Sequence, residues 1–148
     1  MLVTADWIND YLENNISANE QGELLTAAGF PLEGTEELPD GDVRQEFEMT
    51  SNRGDCTCHL GLAREIAART MNDLVEPKTT IEATGSPIEE SASVINHEPD
   101  LCPLYTARVI LGASVNASPS WLETRIANRG DTPRNAIVDA ANFVLFEM

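Results

Sequence analysis

The spacing of apolar residues changes along the chain, and each change marks a different element. Trp7, Ile8, Tyr11 and Leu12 share one helical face behind Thr4, which predicts a first helix with Thr4 as its cap. Ser17 and Glu20 stand three apart in a capping-box pattern. A second helix carrying Leu24, Leu25 and Ala28 should follow and stop at Gly29, with Pro31 just beyond. From Leu32 the period falls to two. Pro39-Asp40-Gly41-Asp42 is a turn signal, and Val43, Phe47 and Met49 recur at even spacing, so a hairpin is expected with Glu46 and Glu48 on its wet face.

The stretch from Thr50 to Arg69 organises the rest. It reads as the end of a strand, a tight polar turn through Asn52, Arg53, Gly54 and Asp55, and then a helix with Asp55 as N-cap. Leu60, Ala63, Ile66 and Ala67 repeat at helical spacing, while Arg64, Glu65 and Arg69 fall toward solvent. Gly61 inside that helix costs roughly 1 kcal/mol relative to Ala, a penalty accepted where another backbone must come close.

Residues 77–91 are rich in Thr, Glu, Pro and Gly without periodicity and read as a linker. Ala92-Ser93-Val94-Ile95 begins a new strand pattern, and Tyr105, Ala107, Val109 and Leu111 alternate as a second strand. Ser118 is expected to cap a helix with Pro119 at its first position and Gly130 as its stop. Ile137, Val138, Ala141, Val144 and Leu145 mark a last helix. The expected class is α+β: a three-helix and hairpin domain over 1–76, and strands and two helices of an incomplete second domain over 92–148.

Charge narrows the function. Twenty-five acids face nine bases, Lys78 is the only lysine, and the net charge is -16. Nucleic-acid binding rests on Lys and Arg neutralising phosphates, so this chain should not grip a phosphate backbone by itself. Cys56, Cys58 and Cys102 are an odd number and suit a reducing compartment. The Cys56-x-Cys58-His59 spacing is poor for zinc, which takes four ligands and wider cysteine spacing. No apolar run approaches the ~20 residues of a membrane span, and no signal peptide opens the chain, so a cytoplasmic location is expected. The Asn-Arg-Gly-Asp tetrads at 52–55 and 128–131 carry no adhesion reading without secretion.

Thr50-Ser51-Asn52-Arg53-Gly54-Asp55 followed by Leu60-Gly61-Leu62-Ala63-Arg64-Glu65-Ile66-Ala67 resembles the T-P-N-R-x-D and L-G-I-A-R-E run of bacterial-type phenylalanyl-tRNA synthetase beta subunits. Leu101 to Ile110 with Ser118 to Leu122 is a second similar block, and Asn135 to Glu147 a third, resembling N-N-V-V-D-V-T-N-Y-V-M-L-E. The resemblance implies the amino-terminal portion of that subunit. Where many family members carry an inserted OB-like tRNA-binding domain, this sequence has a short acidic connection. Residues 92–148 would then be the truncated start of a mixed α/β editing-type domain.

The resemblance also implies a partnership with the remainder of the beta subunit and with the alpha subunit, which holds the ATP and magnesium chemistry that joins phenylalanine to tRNA. No cofactor or metal is expected in this chain, and tRNA only in the full assembly. Editing is needed because an apolar pocket rejects an isostere that adds a hydroxyl by only about a hundredfold. Aligned on Asp139, however, the arginine of the family's R-P-I-N-N run falls at Thr132, and the later histidine segment is absent. Asn135, Asp139 and Asn142 are the expected remnants of the editing pocket wall, with helix capping as their simpler role. Asn52, Arg53, Asp55, Gly61, Arg64 and Glu65 are expected to form a structural turn-and-helix motif, and no catalytic residue is assigned. The rival outline is a winged-helix nucleic-acid module. Apolar surface left exposed by an incomplete domain would favour self-association.

Overall fold

In the computed structural model, which describes residues 1–148, the chain has five α-helices and one three-stranded antiparallel sheet. It divides into two compact units, one of residues 1–77 and 115–148, the other of residues 78–114. No helix is long and apolar enough to cross a membrane.

The larger unit begins with β1 (Leu2–Thr4) and α1 (Ala5–Asn9), then α2 (Ala18–Ala27), β2 (Leu32–Glu37), β3 (Val43–Phe47) and α3 (His59–Thr70), and ends with α4 (Ser120–Arg129) and α5 (Ala136–Glu147). The expected hairpin is β2 and β3, with Glu37 opposite Val43 and Leu32 opposite Phe47. Gln45 and Phe47 face the core, while Glu46 and Glu48 are exposed. β3 is central because β1 pairs with its other edge, Val3 opposite Gln45. That strand is too short to leave a periodicity. Thr4 therefore ends a strand as it starts α1, and its side chain makes no cap bond.

The other caps follow local chemistry. Ser17 accepts from the Glu20 N–H at 3.3 Å, and Gly29 takes φ +98° beyond the end of α2. Asp55 does not cap α3. It lies in a short 3-10 turn, Gly54–Cys56, and the cap is Cys58, whose Sγ accepts from the Gly61 N–H at 3.3 Å. Arg53 binds the Asp55 carboxylate through two nitrogens, which withdraws it from the helix end. Nor does Ser118 cap α4. Pro119 holds that position, and the Ser118 hydroxyl turns to Asp139.

The core is one cluster that includes Val3, Trp7, Ile8, Leu25, Phe30, Phe47, Leu62 and Ile66, all at most 1 % exposed. α3 lies against α1 and α2, and Gly22 of α2 fits closely beneath Leu32. Phe143 and Phe146 of α5 close the cluster from the far end of the chain, and Ile126 of α4 is fully buried. The compact units thus divide the chain differently from the expected domains over 1–76 and 92–148. Phe143 and Phe146 of α5 turn to the amino-terminal core, whereas Ile137, Val138, Ala141, Val144 and Leu145 stay exposed.

The smaller unit carries one 3-10 turn, Ile88–Glu90, and no strand. The strands expected at Ala92–Ile95 and over Tyr105–Leu111 are absent. Alternation marks a strand only if a neighbour takes up its backbone hydrogen bonds, and neither segment has one. Tyr105, Ile110 and Leu111 are instead exposed.

Candidate functional site

The turn before α3 is held by one guanidinium. Arg53 Nη2 donates to Asp55 Oδ2 at 2.9 Å, to Cys56 Sγ at 3.0 Å and to Glu65 Oε1 at 2.6 Å, and its charge lies over the Phe30 ring at 5.1 Å. Asp55, Cys56 and Glu65 bring their donor atoms within 4.8 Å of one another, the spacing of a metal set. The cation they face is Arg53 itself. Its hydrogen bonds hold the Asp55 carboxyl down at about 2, and those of Asp55 and Glu65 raise the Arg53 pKa. Burial pushes the Cys56 thiol up to about 12, so it stays protonated and is a poor nucleophile at neutral pH.

Gly61 explains how the turn and helix meet. A Cβ there would run into the Asp55 carbonyl oxygen and lie 3.0 Å from the Cys56 Cα, so the close-lying backbone is that of the 3-10 turn. Asn52 and Arg64 are exposed, while Glu65 is half-buried against Arg53. The motif residues Arg53, Asp55, Gly61 and Glu65 therefore meet one another, and Asn52 and Arg64 stand apart from them.

A second polar node fastens the start of α5. Asp139 is fully buried, and Ser118 Oγ donates to it at 2.6 Å. The Arg134 N–H donates to both of its carboxylate oxygens, at 2.9 and 3.1 Å. Asn135 caps the helix, accepting from Ile137 and Val138 N–H at 3.1 Å each. Asn142 is half-buried one turn further along. Every hydrogen bond of Asn135 and Asp139 is thus spent within the loop before α4 and the turn into α5.

His59 is a third node. It is fully buried and stacks on Trp7 with ring centroids 4.0 Å apart. Its place between apolar residues on the helix marks it as a core histidine, but only the fold reveals its partners, Thr4 and Phe146.

Residues 101–148 match the model of the B3/4 domain family. A phenylalanine–tRNA ligase beta subunit of Rhodopirellula baltica is 42% identical over 99% of this chain. The beta subunit of Geobacter sulfurreducens is 37% identical over 91% of the chain, and that of Salinibacter ruber 37% identical over 74%.

This chain belongs to the phenylalanine–tRNA ligase beta-subunit family. It spans 21%, 17% and 13% of the length of those three relatives, about a fifth or less. The B3/4 match takes in α4, α5 and the Asp139 node. Of those two helices, α5 joins the core through Phe143 and Phe146, and α4 packs on α5 and β1.

Proposed function

We propose that this stretch of a phenylalanine–tRNA ligase beta subunit is a framework and interface piece of the enzyme, with no bond-making chemistry of its own. It represents the amino-terminal portion of the subunit in a form without the inserted tRNA-binding domain, acting in the cytoplasm. It joins the remainder of the beta subunit and the alpha subunit, which supplies the ATP- and magnesium-dependent attachment of phenylalanine to tRNA. Residues 92–148 represent the opening part of the editing-type domain, a reading supported by the B3/4 match.

The observation that carries this is the guanidinium of Arg53, whose Nε and Nη2 are taken up by Asp55, Cys56 and Glu65. A turn whose charged groups are all used internally positions helices and leaves nothing to hold a substrate. Asn135 and Asp139 are committed to a cap and a loop in the same way. A nucleic-acid-reading role for α3 finds little support. Arg53 is paired, Arg69 donates to the Ala27 carbonyl at 3.3 Å, and only Arg64 stands exposed and unpaired, in a chain of net charge -16.

Co-purification with a tagged alpha subunit tests the interface. Retention of this chain at moderate salt is expected, and its loss in every wash would overturn the reading. Incubation with tyrosyl-tRNA of the phenylalanine type should release tyrosine no faster than buffer; turnover above that would overturn the assignment of no chemistry.

A further inference from the structure

α4 is attached differently from the other helices of the larger unit. Only Leu122 and Ile126 of its side chains are buried, and neither belongs to the core cluster that Phe143 and Phe146 of α5 join. The helix rests on α5 and β1, and a cleft of about 380 Å³ opens between it, the start of α1 and the β2–β3 turn. The bonds that reach the amino-terminal residues are polar. Arg125 pairs with Asp10 and lies over the Trp7 ring at 5.4 Å. Asn128 donates to Asp40 Oδ2 at 2.8 Å, and its carbonyl accepts from Arg44 at 3.1 Å.

The inner side of α4 also carries a conflict. Arg125 Nη1 and Arg129 Nε are buried and have no hydrogen-bond partner. Arg129 pairs with Asp131 through Nη1 and lies over the Phe146 ring at 3.6 Å, which leaves Nε facing no acceptor. A buried N–H of a charged group forfeits the hydrogen bond that water would give it. Both guanidinium groups therefore favour a state in which α4 is hydrated, while their ring contacts and the Asp10 pair hold the helix down.

The ends of α4 are fastened by other means. Before the helix, the Asn116 carbonyl accepts from the Ala136 N–H at 2.9 Å, and Ser118 donates to Asp139. After it, the Arg134 N–H donates to the same carboxylate. Residues 118–134 are thus a loop pinned at both ends to the start of α5. α5 has its own attachment to the core through Phe143, Phe146 and the His59 bond, so moving α4 does not unfasten it.

We propose that α4 is a strap that lifts as one unit about the Asp139 node while α5 and the core stay folded. Closed, its arginines cover the Trp7 and Phe146 rings. Lifted, it widens the cleft beside those rings and presents two guanidinium groups one helical turn apart. Such an opening exposes little surface, so urea should promote it far less than it promotes global unfolding.

Native-state hydrogen exchange of the full chain, followed by ¹H–¹⁵N NMR at low urea, tests the strap. The amides of Arg125, Ile126, Ala127 and Asn128 should share one opening constant, at least about tenfold larger than that of the α3 amides from Ala63 to Ala67, with a shallower urea slope. Equal opening constants in the two helices, equal urea slopes, or a graded series along α4 that marks simple fraying would overturn the proposal. Asp10→Asn removes the Arg125 ion pair at an exposed position. It should raise the α4 opening constant at least about twofold and leave the α3 amides unchanged. A rise of equal size in both helices, or none in α4, would overturn the strap's fastening.

Discussion

His59 joins Phe146 across 87 residues of chain: its Nδ1–H donates to the Phe146 carbonyl at 2.7 Å while Nε2 accepts from the Thr4 N–H at 3.3 Å. Only a neutral imidazole can donate from one nitrogen and accept at the other. The ring stacks on Trp7, which stacks in turn on Phe143 at 4.8 Å, so one side chain ties β1, α1, α3 and α5 together.

Burial drives the His59 pKa down to about 3. The unfolded chain therefore takes up this proton first. Stability from the neutral ring is complete above the unfolded value of about 6.5 and is lost as pH falls toward 3. Between about pH 7 and about pH 5 the loss should reach about 2 kcal/mol from this group. Urea unfolding at the two pH values should show it in the native chain and not in His59→Gln. Equal pH dependence in both would contradict a buried neutral histidine.

Gly61→Ala should destabilise. Alanine normally favours a helix interior by about 1 kcal/mol, but here its methyl meets the Asp55 carbonyl and the Cys56 backbone, and overpacking costs about 1–3 kcal/mol beyond that gain. The unfolding midpoint in urea should fall. A rise would show that the 3-10 turn yields freely.

Asp139→Ala strands the buried Ser118 hydroxyl and the part-buried Arg134 N–H, at a cost of about 1–3 kcal/mol. Asn135→Ala, which removes an exposed cap, should cost about 1 kcal/mol. The ordering of the two is the informative result. If Asn135→Ala were the more damaging, the carboxylate would not be what fastens α5.

Ile137, Val144, Leu145 and Met148 of the α5 region are each more than half exposed, and Val138 is 42 % exposed. The two acids of the helix are engaged elsewhere, Asp139 in its loop and Glu147 with the Tyr11 hydroxyl at 2.7 Å. An uncharged apolar stripe on so acidic a molecule is a place where copies can meet without repulsion. Light scattering should show a mass that rises with concentration, and Leu145→Glu should abolish the rise. A single monomeric species at all concentrations would remove this expectation.

Local signals told most where the chain satisfies itself locally. The Ser17 capping box, the β2–β3 turn and the Gly130 stop at φ +107° were all legible, because each is a bond or a dihedral within a few residues. The Asp55 cap was misread for the opposite reason. Arg53 competes for that carboxylate with help from Glu65, twelve residues from Arg53 along α3, which spacing rules do not weigh. The strand pattern over Tyr105–Leu111 was also misleading, since alternation says nothing about whether a pairing edge is present. Trp7 and His59 could be assigned to the core, but not to Phe143 and Phe146, which lie far away in sequence. The Asn135 cap was readable from its helix, whereas the burial of Asp139 needed Ser118 to be brought beside it.

The route from Pro77 to Val115 leaves the larger unit and returns to it through residues 78–114. Closing such an excursion depends only weakly on its length, a doubling adding about 0.6 kcal/mol. Lengthening or trimming that connection should thus alter thermal stability little, which makes it the natural point for grafting foreign sequence, whereas removing either end of the chain would dismantle the single core that both ends build.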